Sequence, residues 1–300
     1  MKSVIGITGT TSVGKSAVGI ALAKMICGEI ISADSMQIYK EMDIGTAKVT
    51  EAEMLRVRHY MLDIVEPNQN YSSYMYQQQA SKIIDGMDCV PIMVGGTGFY
   101  FDSLLYPPEF GIGDVNRRKE LLEILDCQGL NSLQLILRKL DEDSYDKIDI
   151  QNPKRVIRAI EIAESGEKLT KGMGRNKIPK YDLKLFVLQR SRESLYKQID
   201  LRVDAMVRAG LVDEVKKLVS KYGICKTSAF QAIGYKEIIE YLNGTIALED
   251  AIAKIKLNTR RYAKRQETYF KRMDVKEYID VENKTVDEIA LYVYNVINKS

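Results

Sequence analysis

The stretch with the densest chemical content is Gly9-Thr10-Thr11-Ser12-Val13-Gly14-Lys15-Ser16, which fits the spacing G-x-x-x-x-G-K-[ST]. Glycines let the backbone curl so that successive N–H groups point at one anion. The following helix N-terminus adds favourable partial charge, and Lys15 adds a full one. The Ser16 hydroxyl is of the type that ligates Mg2+ in such loops. A glycine turn without a ligand would share the spacing, but here residues 4–8 ahead of the loop read as a buried strand and 16–27 behind it as an amphipathic helix. Pattern and context together predict a site for a phosphate or diphosphate. They do not choose among nucleotide kinases, GTPases and phosphate-loop transferases.

A second group follows the strand-like run 29–33, which ends at Asp34-Ser35-Met36-Gln37. The carboxyl end of a strand beside a phosphate loop is where open α/β sheets bind ligands. Asp34 can hold Mg2+ through water or take a proton from a nucleophile near the phosphates. It can equally cap the next helix. The run 90–94 ends in Gly95-Gly96-Thr97-Gly98, where many phosphate-loop NTPases carry an acid that manages the metal. Asp34 is thus the better candidate for that work, and plain nucleotide hydrolysis is a weaker reading. The glycines suit either close approach of a ligand to the backbone or an ordinary tight turn.

These groups need a scaffold that brings strand ends together. Buried runs at 4–8, 29–33 and 90–94 alternate with helical patterns, which predicts α/β architecture: a P-loop NTPase-like parallel sheet with helices on both faces. Residues 61–65, after His59, also look strand-like. Pro107, Pro108, Gly111 and Gly113 punctuate the chain before helical patterns at 116–125 and 132–140. Asn152-Pro153 then opens a helix as N-cap and first residue, with Val156, Ile160 and Ala163 on one face. Gly166, Gly172 and Gly174 break the pattern, and a single late strand follows at 183–188. The expected organisation is a core of 1–110 and 181–300 interrupted by a helical insertion at 111–180.

Composition narrows the chemistry. The chain has 300 residues, 45% hydrophobic and 28% charged, enough for a real core. Cys27, Cys89, Cys127 and Cys225 form no C-x-x-C pair, and His59 is the only histidine, which argues against disulfide frameworks, thiol or histidine zinc sites and a Ser-His-Asp triad. His59 itself reads as structural. No apolar run reaches the ~18–20 residues of a membrane span, and MKSVIGITGT lacks signal-peptide character, so a cytoplasmic protein is expected.

The net charge is only +3, but its distribution is uneven. Lys154, Arg155 and Arg158 crowd the first turns of the helix opened by Asn152, against the helix dipole. Lys168, Lys171, Arg175, Lys177 and Lys180 follow with no acid after Glu167. Residues 254–272 carry Lys254, Lys256, Arg260, Arg261, Lys264, Arg265, Lys271 and Arg272 against Glu267 alone, beside a packing stripe of Ile252, Ile255, Thr259, Tyr262, Gln266 and Tyr269. Without acids for i,i+4 pairing, contact with a phosphate backbone is the better account of this helix. Arg192 and Arg202 are alternatives for reaching a bound phosphate, about three helical turns apart.

The motifs converge on one family. GTTSVGKS (9–16), ISADSMQIYKEMDIGTAK (31–48), HYMLDIVEP (59–67), VGGTGFY (94–100), NPKRVIRAIE (152–161), AIGYKE (232–237) and RRYAKRQ (260–266) resemble the tRNA dimethylallyltransferase, or IPP transferase, family over nearly the whole chain. Thr10 stands where the family usually has Pro, and Ser16 where it more often has Thr. The zinc finger of eukaryotic relatives is missing, so a bacterial form is expected. The resemblance implies transfer of a dimethylallyl group from dimethylallyl diphosphate to N6 of the adenosine 3′-adjacent to the anticodon.

On this resemblance the diphosphate lies on Gly9, Thr10, Thr11, Ser12, Val13, Gly14, Lys15 and Ser16. Asp34 is similar to the general base, while Lys15, Arg202 and Mg2+ on Ser16 stabilise the departing diphosphate. Contacts to tRNA are implied for Asp34, Ser35, Met36, Gln37, Thr97, Arg118, Lys154, Arg155, Val156, Ile157, Arg158, Gln231, Ala232, Ile233, Gly234, Tyr235 and Lys236. The insertion would grip the anticodon stem-loop, and the target adenine would be extruded into the site. A monomer is the default. Rival readings are an adenylate isopentenyltransferase acting on AMP, a P-loop nucleotide kinase, and an RNA-binding module without catalysis.

Overall fold

The computed structural model describes residues 1–55, 57–107, 114–167 and 178–299. The first part of the chain alternates strand and helix: β1 (Ser3–Gly9), α1 (Lys15–Ile26), β2 (Glu29–Ser32), α2 (Glu51–Met54), β3 (His59–Tyr60), α3 (Ser73–Asp85), β4 (Pro91–Val94) and α4 (Gly98–Leu105). Helices α5 (Val115–Gln128), α6 (Leu130–Leu140), α7 (Glu142–Lys147) and α8 (Pro153–Glu164) come next. The chain then adds β5 (Asp182–Gln189), α9 (Arg192–Arg208), α10 (Leu211–Tyr222), α11 (Tyr235–Leu242), α12 (Leu248–Phe270), β6 (Glu277–Asp280) and α13 (Val286–Asn298). It divides into two units, 1–105 with 180–300, and 106–179.

In the larger unit all six strands are parallel, in the order β3-β2-β4-β1-β5-β6. Period-two alternation sends side chains to opposite faces. Ile5, Ile7, Ile92, Phe186 and Leu188 pack on one side with residues of α1 and α13, while Val4, Met93, Leu185 and Val187 pack on the other with residues of α3 and α4. Burial on both faces is why these strands read as apolar runs. The parallel sheet flanked by helices is the architecture expected from the sequence.

Two details differ. The extended run expected at 61–65 is instead β3 at His59–Tyr60 followed by a turn, because Met61 and Asp63 adopt positive φ of 64° and 54°; only Val65 bridges back, to Tyr39. Strand β6 extends the sheet beyond β5, so the late strand is not single. It lies at the edge with Ile279 its one buried residue, and so lacks the apolar run that marks an interior strand.

The smaller unit packs Leu121, Leu133, Leu137, Val156, Ile157 and Ile160 into its own core. Asn152 caps α8 as the sequence predicts: its side-chain oxygen accepts the N–H groups of Lys154 and Arg155, with Pro153 at the first helical position.

What positions the site in the larger unit is the meeting of the β1, β2 and β4 ends. Gly95 N–H donates to Ile7 O at 3.2 Å, Thr8 Oγ1 donates to Gly95 O at 2.7 Å, and Thr97 N–H donates to Ala33 O at 3.0 Å. A Cβ on Gly95 would lie 2.2 Å from the Ala33 carbonyl. Gly95→Ala is therefore expected to lower unfolding stability by about 2 kcal/mol or more. Urea denaturation of the variant measures it, and an unchanged midpoint would contradict so close an approach.

Candidate active site

Between β1 and α1 the backbone turns through Gly9 (φ 143°), Ser12 (φ 63°) and Gly14 (φ 98°). Gly9 is required: a Cβ there would lie 2.3 Å from the Leu188 carbonyl oxygen. Gly14 caps α1 without any side-chain bond, which leaves the first helical N–H groups open to a ligand. Thr10 Oγ1 and Ser12 Oγ are buried without a hydrogen-bond partner, a state that an incoming anion would relieve. Lys15 Nζ folds back to donate to Thr10 O at 2.7 Å. Burial, and then the neighbouring Arg202 charge, pull its ammonium down to about 8, with Asp34 acting in the opposite sense.

Arg202, from α9, donates through Nη2 to Thr46 O at 3.2 Å. Burial lowers its pKa and the Asp34 charge raises it. Lys15 and Arg202 thus both lie within electrostatic reach of Asp34. The cavity beside them, about 330 Å3, is lined by Thr11, Asp34, Ser35, Met36, Arg202, Tyr262 and the segment Gln231–Lys236, among others. Such a volume lies within the range of small-molecule sites.

Asp34 follows β2 directly. Its Oδ1 accepts the N–H of Met36 at 2.9 Å and of Gln37 at 3.4 Å, while Oδ2 has no hydrogen-bond partner among the described residues. The helix cap that the sequence allows is present only as a turn cap, because no helix begins there, and Asp34 also lines the cavity. Thr97 Oγ1 accepts the N–H of Ser35 at 3.0 Å and holds the turn from above. Tyr262 lies close by, its phenol pushed up to about 12 by burial and then by the Asp34 charge, so it is a neutral donor at physiological pH.

The segment 43–48 braces this wall. Glu214 accepts the N–H groups of Asp43 (2.9 Å), Ile44 (2.7 Å) and Gly45 (3.0 Å) and the hydroxyl of Tyr235 (2.7 Å). Gln37 donates through Nε2 to Thr46 O at 3.4 Å and Ala47 O at 3.2 Å, and so supports the carbonyl that holds Arg202. Buried Lys48 ties Tyr39 O to Asp43 and Asp63. Gln37 and Tyr235 are both buried, so their side chains act inside the wall. Glu214 and Lys48 were not among the residues singled out from sequence; the density of the motif 31–48 was the available signal.

The other expected residues are placed as follows. Arg118 is exposed on α5 and pairs with buried Glu161 at 3.5 Å, which Arg158 also meets at 3.3 Å. Lys154 and Arg155 are exposed, Arg155 within 3.7 Å of Asp149. Val156 and Ile157 are buried in the core of their unit, so their side chains cannot reach an external RNA. Lys168, Lys171, Arg175 and Lys177 lie outside the described residues; Lys180 pairs with Asp85 at 2.9 Å. Arg192 is exposed at the start of α9, and only Arg202 of that pair reaches the cavity.

The basic helix also needs correction. Lys254 meets Glu240 at 2.8 Å, Lys256 meets Asp204 at 2.6 Å, and Arg260 meets Asp200. The acids come from α9 and α11, where a search along α12 alone could not find them. Arg261, Lys264, Arg265 and Arg272 share a surface with Thr268 and Tyr269, and Arg265 also lines the Asp34 cavity. Contact with α12 accounts for the glycine turn: a Cβ on Gly96 or Gly98 would meet Gln266 or Tyr269 at 2.3 Å.

Residues 37–273 match the family model described as IPP transferase, and 2–69 match that for isopentenyl transferase. The chain belongs to the IPP transferase family. It is 44% identical over 303 residues to a tRNA dimethylallyltransferase of Clostridioides difficile, covering 97% of each chain. A tRNA dimethylallyltransferase of Caldanaerobacter subterraneus is 41% identical, covering 98% of this chain and 97% of the relative. Among solved structures, a tRNA isopentenylpyrophosphate transferase of Staphylococcus epidermidis aligns with a TM-score of 0.75 and 39% identity over 100% of this chain and 99% of that one. A eukaryotic dimethylallyltransferase described as acting on tRNA aligns with a TM-score of 0.85 and 29% identity, over 100% and 80%.

The titration of Lys15 gives a test with a defined sign. Its folded-state pKa, about 8, lies below the ordinary 10.5, so the buried ammonium costs stability below pH 8 and that cost is relieved as the pH rises from 8 toward 10.5. Anion binding runs the other way, because it needs the proton. Calorimetric pyrophosphate affinity, taken relative to Lys15→Met, should fall as the pH rises from about 7 to about 9.5. A constant ratio across that window would contradict a role for the Lys15 charge.

Proposed function

We propose that this IPP transferase family member transfers a dimethylallyl group from dimethylallyl diphosphate to N6 of the adenosine 3′-adjacent to the anticodon of tRNA. The observation that carries the reading is the convergence of Asp34 and Arg202 on one cavity, with the Lys15 charge beside them at the phosphate loop. Backbone N–H groups of 9–16 bind the diphosphate. Adenine N6 attacks the allylic carbon, forming the N–C bond as the C–O bond to the diphosphate breaks. Asp34 Oδ2 takes the N6 proton, and Lys15 and Arg202 offset the charge of the departing diphosphate.

Ser16 is suited to hold Mg2+. Its hydroxyl lies in the first turn of α1 with no hydrogen-bond partner among the described residues, and those residues contain no cluster of three or more His, Cys, Asp or Glu for a metal. One protein hydroxyl, with diphosphate oxygens and water, matches the way Mg2+ is bound beside phosphates. When bound, Mg2+ supplies further charge neutralisation of the diphosphate.

The tRNA reading draws on the relatives and on the exposed cations of the smaller unit, Arg118, Lys154 and Arg155. With labelled dimethylallyl diphosphate, label should enter unmodified tRNA and not AMP. Asp34→Asn should slow that transfer by about 10²–10⁴-fold with tRNA affinity nearly retained. Transfer to AMP alone, or an active Asp34→Asn, would overturn the reading. The double variant Lys154→Ala/Arg155→Ala should weaken tRNA binding and lower the slope of log affinity against log salt by about 1–2. Binding measured over a range of salt concentrations checks it, and an unchanged slope would remove these cations from the interface.

A further inference from the structure

Gln266 lies on α12 with its side chain buried and both ends of its amide engaged. Oε1 accepts the N–H of Thr11 in the phosphate loop at 2.9 Å, and Nε2 donates to Gly96 O at 2.9 Å. The next residue after Gly96 is Thr97, whose Oγ1 takes the N–H of Ser35, the neighbour of Asp34. Tyr262, one helical turn before Gln266, lines the cavity. Three hydrogen bonds and the Gly96–Thr97 chain link therefore join the loop assigned to the diphosphate to the segment that carries the base.

Packing alone does not ask for an amide here. Methionine has a similar shape, and a buried amide is costly unless both ends are paired. Both are paired, to the two backbone segments whose separation the reaction needs fixed. The fit is closed on the far side, since a Cβ on Gly96 would lie 2.3 Å from Nε2.

We propose that Gln266 is a positioning residue, its side-chain amide setting the separation between the diphosphate cradle and the Asp34 carboxylate. This rests on the reading of the site as a dimethylallyl-transfer centre. In-line attack requires the allylic carbon, N6 and the base to be aligned within a fraction of an ångström, and a misplacement of about 1 Å can cost about 10²-fold in rate.

The test compares Gln266→Met and Gln266→Glu with the unaltered protein in single-turnover transfer from dimethylallyl diphosphate to unmodified tRNA, both substrates saturating. Each variant should react about 10- to 100-fold more slowly, while tRNA affinity and cooperative thermal unfolding are retained. Gln266→Glu keeps the size and an acceptor for Thr11 but sets an oxygen against Gly96 O, so it carries the test if the methionine variant does not fold. Combining Gln266→Met with Thr97→Val should cost less than the product of the single losses, because both cut one chain. Rates within about 3-fold of the unaltered protein, losses that vanish at saturating donor, or strict additivity with Thr97→Val would overturn the proposal. Absence of transfer by the unaltered protein would instead overturn the functional reading, and this proposal with it.

Discussion

The site depends on how closely the Gly95 backbone approaches that of Ala33. Parallel strands deliver their ends to one edge of a sheet, but only to within a strand spacing of each other. Here the end of β4 is stitched to β1 through Ile7 and Thr8 and to the end of β2 through Ala33 and Thr97. The phosphate loop leaves from β1 and Asp34 leaves from β2, so those stitches fix the origin of the loop relative to the carboxylate. A side chain at position 95 would wedge them apart.

Within that frame the electrostatics are arranged before any substrate arrives. Lys15 and Arg202 are like charges held near one another in dehydrated surroundings, and the Arg202 charge depresses the protonation of Lys15. Such an arrangement is unfavourable by itself. It is offset in part by Asp34 and by the Thr10 and Thr46 carbonyls, and an entering anion would offset it further. In the proposed reaction these cations would face a diphosphate whose charge grows as it departs.

Much of this was readable from residue order alone, and the reasons are physical. The phosphate loop is legible because φ restrictions force glycine at fixed positions, and interior strands are legible because burial on both faces makes them apolar. Strand β6 was not, since an edge strand with Ile279 as its one buried residue leaves no run. The acids that neutralise Lys254, Lys256 and Arg260 sit on other helices, and no spacing rule within α12 reaches them. Val156 and Ile157 lie in a segment whose exposed residues are basic, yet their side chains form the core beneath it. Gln266 looked like one more residue of a packing stripe because a pattern of burial cannot say what a buried amide is bonded to.

Helix α12 and the turn Gly96–Gly98 also compete for the same volume. Nε2 of Gln266 and the ring of Tyr269 occupy the places where methyl groups at 96 and 98 would sit. A methyl at 96 would push aside the far end of the Gln266 side chain and so disturb the amide's bonds, whereas one at 98 would press on the Tyr269 ring itself. A change at either glycine therefore calls for a compensating change on α12, and the stiff ring makes position 98 the less forgiving of the two on steric grounds.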